Sequence, residues 1–427
     1  FSHTSVSADA SCKLSSALIE VSYLQLVNWI FQDPMKSPFA PVTPPCITIA
    51  ERLFNSLEKM SQESPRRIAV MEADDPSKCL THKQLLDGAH SIAAFLKSRS
   101  FIAGDRATVL LRNCIEFPIF HLGVWAAQGA LIGLSVAFKI NEMAVQLNNS
   151  QSTVILTTED MIDFVMEATA LCTNIKTIIC IRTTDKPLPE GVFDFYQTAT
   201  FPHNAVHPNG AMEDPALIFY SSGTTGVPKG VVHTQRTCHA AVEHLLNHWI
   251  DEIYPALGVA DVNWKKEFQV MFLPCSHLMG FTLLNWFLLI GSPVVLVREF
   301  NGPLISNMIA KFKPRYLMGY PTIISYFAKD PFGRSADLSS VKCVIVFESG
   351  DCKRVHAAPR KCKVHCSRLR HDRTRLLQSS STSEGGIQFF LWNCSRNVRA
   401  EDNRYRDWRM LQTCPNASEA KYLNLFR

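Results

Sequence analysis

The sequence predicts an α/β fold with layered parallel sheets, and two observations lead to this class. Short apolar runs alternate with segments whose apolar residues recur at helical spacing, from about residue 48 to residue 347. The apolar runs are nearly continuous, which is typical of strands buried on both faces of a parallel sheet. The chain has 427 residues, of which 47% are hydrophobic and 19% charged. It is therefore long enough for two or three domains, and a disordered or small disulfide-stapled class is excluded.

The predicted elements follow one another in a regular order. Thr48 with Glu51, and Thr81 with Gln84, form two capping-box patterns, each of which opens a helix with apolar residues on one face. The next elements are strands 107–111, 130–134, 153–157 and 177–181, separated by helices 115–127, 141–148 and 159–168. The rhythm returns with strands near 217–220, 268–273, 294–297, 316–318 and 343–347.

The uncharged segment 278–297 has the length of a membrane-spanning helix. Gly291-Ser292-Pro293 interrupts this segment near its middle. We therefore interpret it as a buried helix, a turn and a buried strand, and we expect no transmembrane span.

The cysteines and the chain ends bear on the cellular compartment. The 14 cysteines lack the short regular spacings of a disulfide framework. The apolar stretch 17–31 has neither the basic flank nor the cleavage site of a secretory signal. We expect reduced thiols and a cytoplasmic location. A peroxisomal location stays open for a full-length protein, although the ending Asn424-Leu425-Phe426-Arg427 is not a peroxisomal signal.

Charge divides the chain near residue 350. Residues 351–427 carry 16 basic and 7 acidic residues, whereas residues 1–350 carry 27 basic and 31 acidic residues. We expect an N-terminal extension at 1–46, an α/β domain at 47–350 and an irregular basic Cys/Arg/Ser-rich tail at 351–427. Met35 is a candidate start of translation, so residues 1–34 could be untranslated in the true protein.

A glycine- and hydroxyl-rich segment, Ser221–Gly230, follows the strand 217–220. Its glycines allow close approach of the backbone to a ligand. Its hydroxyls and backbone N–H groups can donate to phosphate oxygens, and a lysine adds positive charge. The segment lacks the Gly-Lys-Ser/Thr of a Walker A loop, and the alternative is an ordinary flexible loop. The predicted phosphate-binding residues are Ser221, Ser222, Gly223, Thr224, Thr225, Gly226 and Lys229.

The segment Ser221–Gly230 resembles the phosphate-binding signature of the adenylate-forming, or AMP-binding, enzymes. This superfamily includes acyl-CoA synthetases, 4-coumarate–CoA ligases and firefly luciferases. Further similar segments are Leu80-Thr81 with Gln84-Leu85, Gly104-Asp105-Arg106 with Asn113, Glu116 and Phe117, Leu273–Gly280, Tyr320-Pro321-Thr322 and Ser349-Gly350. The resemblance covers about residues 47–350 and implies the large N-terminal domain of such an enzyme.

The resemblance also implies an activity and roles for individual residues. A carboxylic acid, of the fatty or aryl-propenoic kind, would react with ATP to give an acyl-adenylate, and coenzyme A would then displace AMP. Mg²⁺ would accompany ATP, with no residue assigned as its ligand. His277 would contact the acyl-adenylate and Arg298 would contact coenzyme A, although Arg298 could equally be a surface arginine. Phe281, Trp286 and Phe287 could line an acyl tunnel or simply pack in the core.

After Gly350 the resemblance ends. The family continues with an aromatic-Gly-x-Thr-Glu motif that helps to hold magnesium, a ribose-binding Asp and a small domain with a catalytic Lys. The segment most similar to the aromatic-Gly-x-Thr-Glu motif is Ser381-Thr382-Ser383-Glu384, which lacks the aromatic residue and the glycine. We therefore expect a truncated chain with impaired activity, caused by a frameshift, an unspliced intron or an alternative exon.

Two alternatives come from other functional classes. The first is a non-catalytic remnant that binds a nucleotide or an acyl group. The second assigns function to the tail, as a zinc or nucleic-acid binder, although we expect no nucleic-acid partner. The candidate zinc ligands are Cys352, His356, Cys362, His365, Cys366 and His371, and the candidate phosphate contacts are Arg368, Arg370, Arg373 and Arg375.

Overall fold

The computed structural model describes residues 45–221, 228–254 and 263–348, together with the backbone of two later strands. The helices are α1 (Ile49–Glu63), α2 (His82–Ser98), α3 (Glu116–Ala126), α4 (Ile140–Ser150), α5 (Ile162–Thr169), α6 (Phe195–Thr198), α7 (Gln235–His248), α8 (Leu278–Ile290), α9 (Gly302–Phe312), α10 (Pro321–Lys329) and α11 (Pro331–Ser335). The strands before the middle of the chain are β1 (Ile68–Glu72), β2 (Cys79–Thr81), β3 (Arg106–Leu110), β4 (Ala130–Gly133), β5 (Val154–Thr158), β6 (Thr177–Ile181) and β7 (Val192–Asp194). The later strands are β8 (Pro215–Ser221), β9 (Lys229–Thr234), β10 (Gln269–Met271), β11 (Val294–Leu296), β12 (Tyr316–Gly319), β13 (Cys343–Glu348), β14 (His365–Ser367) and β15 (Gln388–Asn393).

The strands form three sheets, and most neighbouring strands are parallel. The first sheet has the order β7-β6-β5-β3-β4-β8-β9, the second β10-β11-β1-β2 and the third β12-β13-β15-β14. The predicted α/β class with parallel sheets is confirmed. Two antiparallel pairs, β1 with β2 and β8 with β9, were not predicted from the pattern.

Successive residues of the central strands contribute to different cores, which explains why the strands are apolar throughout. Val70 of β1 joins the large core that also contains side chains of α1, α2, α3 and α8, while Met71 faces a second core. Leu131 and Ile132 of β4 divide in the same way between the large core and a third one. Because neighbouring side chains of a strand point to opposite faces, both faces of these sheets are covered.

The helix starts follow the predicted capping chemistry. Thr81 Oγ1 accepts from the Gln84 backbone N–H at 3.2 Å, and Gln84 Oε1 accepts from the Thr81 N–H at 2.9 Å, so the capping box of α2 is complete. Thr48 Oγ1 accepts from the Glu51 N–H at 3.0 Å, which is the hydroxyl half of the box predicted for α1.

The segment 278–297 is a buried helix, a turn and a buried strand, as predicted. Helix α8 ends at Gly291, whose φ of 70° lies in the left-handed region that glycine tolerates, and β11 follows. Within the part of the chain that the structure describes, no helix combines the length and apolarity needed to cross a membrane.

The tail contributes two strands that the sequence pattern did not predict. Strand β15 lies parallel to β13, with Cys343 opposite Gln388, and β14 lies on the other side of β15. The aromatic residues of β15 favour an extended conformation, which fits its place beside a buried strand.

Candidate functional site

The predicted phosphate loop connects the two strands of an antiparallel hairpin. Strand β8 follows β4 in parallel, and β9 returns along β8 with Lys229 opposite Ser221 and Gly230 opposite Tyr220. Directly paired residues of antiparallel strands have their Cβ atoms about 5 Å apart. The two ends of the predicted loop are therefore held side by side at the carboxyl end of β8, and Lys229 is exposed there.

The residues Ser222, Gly223, Thr224, Thr225 and Gly226 lie outside the described residues, and only the backbone of Ser221 is described. Tyr220, the last residue before them with a described side chain, donates from its hydroxyl to Asn149 Oδ1 at 2.8 Å. This bond fastens the hairpin to α4.

His277 lies at the carboxyl end of β10, where a short loop leads into α8. Its ring centroid is 6.2 Å from that of Phe219, two residues before Ser221 on β8. Its Nδ1 is 3.4 Å from the hydroxyl oxygen of Tyr320, the residue that precedes α10. The structure thus brings His277 close to the strand that carries the predicted phosphate loop and to the start of α10.

The surroundings of His277 set its protonation state. His277 is exposed as a residue, but partial burial of its ring still lowers the pKa of His277 below its ordinary value of 6.5. The neutral form of His277 therefore predominates at pH 7. A neutral imidazole has one donor and one acceptor nitrogen, so the ring can form a hydrogen bond without placing a charge in the site.

Arg298 follows β11, and its side chain is exposed. Its carbonyl oxygen accepts from the backbone N–H of Asn113 at 3.2 Å, at the same sheet edge as the loop before His277. Neighbouring Arg112 forms ion pairs with Asp160 at 3.1 Å and with Glu299 at 3.3 Å. Arg298 therefore lies in a charged surface region, and its contact with coenzyme A stays a prediction.

The three apolar residues considered for an acyl tunnel are packed in the large core. Phe281 contacts Phe219 and Trp125 edge to face, with ring centroids 6.3 and 5.5 Å apart. Trp286 stacks on Trp249 at 5.5 Å and is fully buried. These contacts fit core packing.

Sequence reasoning assigned no role to Tyr320 and Phe219, the two residues that flank His277. In the sequence, Tyr320 stands out only as the start of the Tyr320-Pro321-Thr322 turn, and Phe219 only as part of a strand. Their proximity to His277 depends on the packing of strands from different sheets, so only the turn motif could have drawn attention to one of them.

No group of three or more His, Cys, Asp or Glu side chains among the described residues could hold a metal ion. Of the six candidate zinc ligands of the tail, His365 and Cys366 have a described backbone in β14, and the others lie outside the described residues. The four tail arginines also lie outside them.

A family model described as "AMP-binding enzyme" matches residues 57–366. The match continues past Gly350, the last residue of the resemblance recognised from motifs. The chain is 27% identical over 289 residues to a long-chain-fatty-acid–CoA ligase of Bacillus subtilis. This alignment covers 62% of this chain and 50% of that protein. The chain is also 28% identical over 260 residues to 4-coumarate–CoA ligase 2 of Oryza sativa. This second alignment covers 57% of this chain and 43% of that protein.

Solved structures share the fold. The luciferase-like enzyme of the nonluminescent mealworm Zophobas morio superposes with a TM-score of 0.63 at 20% identity, over 74% of this chain and 70% of that one. A long-chain-fatty-acid–CoA ligase of Archaeoglobus fulgidus gives 0.60 at 18% identity, over 73% of this chain and 59% of that one. The chain spans about half the length of the relatives that it matches in sequence.

Proposed function

Since the chain belongs to the AMP-binding enzyme family, we propose that it activates a carboxylic acid with ATP and transfers the acyl group to coenzyme A. The observation that supports this most is the β8–β9 hairpin, which holds Ser221 opposite Lys229 while His277 lies beside Phe219 of the same hairpin. A loop closed in this way can present hydroxyls, N–H groups and one ammonium group to a single polyphosphate.

In the first step a carboxylate oxygen attacks the α-phosphorus of ATP, and the bond to the β-phosphate breaks. Pyrophosphate leaves with its extra negative charge. The loop Ser221–Lys229 donates to the β- and γ-phosphates, so it stabilises this developing charge and orients the leaving group.

In the second step the sulfur of coenzyme A attacks the acyl carbon, the bond from that carbon to the AMP oxygen breaks, AMP leaves with the electron pair, and the thiol proton is released to solvent. His277, predominantly neutral at pH 7, hydrogen-bonds the acyl-adenylate beside Phe219 and Tyr320. Arg298 offers a positive charge at the same edge of the sheets for the phosphates of coenzyme A.

Magnesium would enter with ATP as the Mg·ATP substrate. Mg²⁺ keeps several water ligands and binds through substrate phosphates as well as through one or two carboxylates. This is compatible with the absence of a three-ligand cluster among the described side chains. We assign no residue of this chain as its ligand.

Acid-dependent exchange of labelled pyrophosphate into ATP tests the first step directly. The full chain is incubated with Mg·ATP and a panel of short, medium and long-chain fatty acids and aryl-propenoic acids. This panel follows the two kinds of acid in the names of the relatives. Exchange that requires one class of acid supports the proposal and identifies the class, and thioester formation with coenzyme A tests the second step.

The second candidate function is binding of a nucleotide without turnover. It is favoured by the tail, in which the sequence shows no convincing match to the family's Thr-Glu motif. Calorimetry with Mg·ATP separates the two candidates. Binding of Mg·ATP without pyrophosphate exchange for any acid supports the non-catalytic remnant. Pyrophosphate exchange with any acid eliminates that candidate.

A further inference from the structure

The loop that carries His277 is tied to the helix it begins. The His277 N–H donates to the carbonyl of Pro274 at 3.0 Å, which closes a tight turn, and the Phe281 N–H donates to the His277 carbonyl at 2.8 Å. The position of the imidazole therefore depends on how this four-residue loop, Pro274–His277, is held against the rest of the domain.

One buried side chain, from the segment that follows β3 of the first sheet, holds this loop by hydrogen bonds. Asn113 lies between β3 and α3 and is 5% exposed. Its Nδ2 donates to the carbonyls of Leu273 at 2.9 Å and Val297 at 3.0 Å, and its Oδ1 accepts from the Cys275 N–H at 2.7 Å. Both donors and the acceptor of the amide are used, which a carboxylate or a hydroxyl of similar size cannot reproduce.

Two glycines also lie close to the backbone of the loop. A Cβ added to Gly280 would overlap the carbonyl oxygen of Pro274, and a Cβ added to Gly133 would overlap that of Ser276. The first turn of α8 and the end of β4 thus touch the loop where Asn113 does not.

We infer that Asn113 is a positioning residue for the acyl-adenylate contact made by His277, an inference that rests on the proposed function. Asn113 touches no reacting atom. It fixes the Pro274–His277 loop against the ends of β10 and β11, and through that loop it holds the imidazole beside Phe219 and Tyr320.

The ring protons of His277 report this role in the full chain without any substrate. Their NMR signals are assigned by their loss in His277→Gln. At pH 8 the nearby ring of Phe219 shifts these signals, and in Asn113→Ala and Gly133→Ala they should move toward their random-coil positions. The titration midpoint of His277 should rise toward 6.5 in both variants, because the ring gains solvent.

Thr108→Val is the matched control. Thr108 is fully buried on β3, and its hydroxyl donates to Ser152 Oγ at 2.8 Å, away from the Pro274–His277 loop. This variant also loses a buried hydrogen bond, yet the His277 signals should keep their positions. If they move as far in Thr108→Val as in Asn113→Ala, the effect is general loosening and the inference is wrong.

Kinetics supply the second readout. In the pyrophosphate exchange assay, Asn113→Ala should lower kcat about 10–100-fold with little change in the KM for Mg·ATP, because a displaced group costs rate more than it costs binding.

Asn113→Asp, which retains the acceptor for Cys275 but loses both donors, replaces Asn113→Ala if that variant does not fold. A folded variant of Asn113 with unshifted His277 signals overturns the inference. If the parent chain shows no exchange, the proposed function fails, whereas the NMR comparison still decides whether Asn113 positions His277.

Discussion

Among single residues, Lys229 offers the most direct test of the proposed chemistry. It begins β9 opposite Ser221, and its side chain lies on the surface at the end of the predicted loop. An ammonium group there can meet the phosphates of ATP without taking part in binding the acid. The two roles can therefore be separated by measurement.

We expect Lys229→Ala to lower the rate of acid-dependent pyrophosphate exchange while the affinity for the acid changes little. The loss of one charged contact to the leaving group should cost about 2–4 kcal/mol of transition-state stabilisation. Lys186→Ala, at another exposed lysine, is the control and should exchange at the parental rate. An equal loss of acid affinity and of rate in Lys229→Ala would contradict the assignment.

At the scale of elements, the helix starts show how local sequence stabilises the layers around the site. Helix α2 begins with the complete capping box of Thr81 and Gln84 and buries Leu85, Ala89 and Ile92 in the large core. The box satisfies N–H groups that have no partner within the helix. This stabilisation is local, so it can be removed without touching the site.

Thr81→Ala should lower the free energy of unfolding by about 1 kcal/mol, because the N-cap hydroxyl is lost. Thr81→Ser retains a hydroxyl and should recover most of that loss. Urea denaturation followed by circular dichroism measures both values. Equal stability of Thr81→Ala and the parent would mean that the capping bonds seen here contribute nothing in solution.

For the molecule as a whole, the contact between α3 and α8 includes a buried polar pair. The His121 Nε2 and Asn285 Oδ1 atoms are 2.9 Å apart, while Asn285 Nδ2 donates to the carbonyl of Phe281. Asn285 therefore presents its oxygen, so Nε2 of His121 carries the proton. Burial lowers the pKa of His121 to about 4, so its ring is neutral in the folded protein.

Protein stability should fall as the pH drops from about 6.5 to about 4. In this window the unfolded chain binds a proton at His121 that the folded chain does not, so unfolding is favoured by acid. Burial also lowers the pKa values of His82, His233, His239 and His248 to about 4, and these histidines act in the same direction.

The contribution of His121 can be isolated. His121→Phe should be less stable than the parent at pH 7, because Asn285 loses its partner. It should also lose less stability per pH unit between pH 6 and pH 4.5, by up to about 1.4 kcal/mol for one proton. Parallel pH profiles of stability for His121→Phe and the parent would show that His121 does not titrate differently in the two states.

Much of the fold follows from local pattern. The strand 177–181 and the helix, turn and strand of 278–297 were predicted close to their observed bounds, because burial on both faces requires apolar runs and Gly291 ends α8. Strands β1 and β2 were missed. Their places depend on pairing with each other and, for Val70 of β1, with Val294 of β11. A pattern of neighbouring residues does not contain information about such long-range pairing.

The α/β class, the hydroxyl-rich loop and the residues worth testing in it follow from the amino-acid sequence alone, because each depends on the chemistry of a few consecutive residues. Three contacts depend on the packing of distant segments: Lys229 lies opposite Ser221, His277 lies beside Phe219 and Tyr320, and Asn113 holds the loop before His277. These contacts join residues from different strands and sheets. They exist because the large core packs the sheets against the helices between them, and no short-range preference encodes which strand ends will meet.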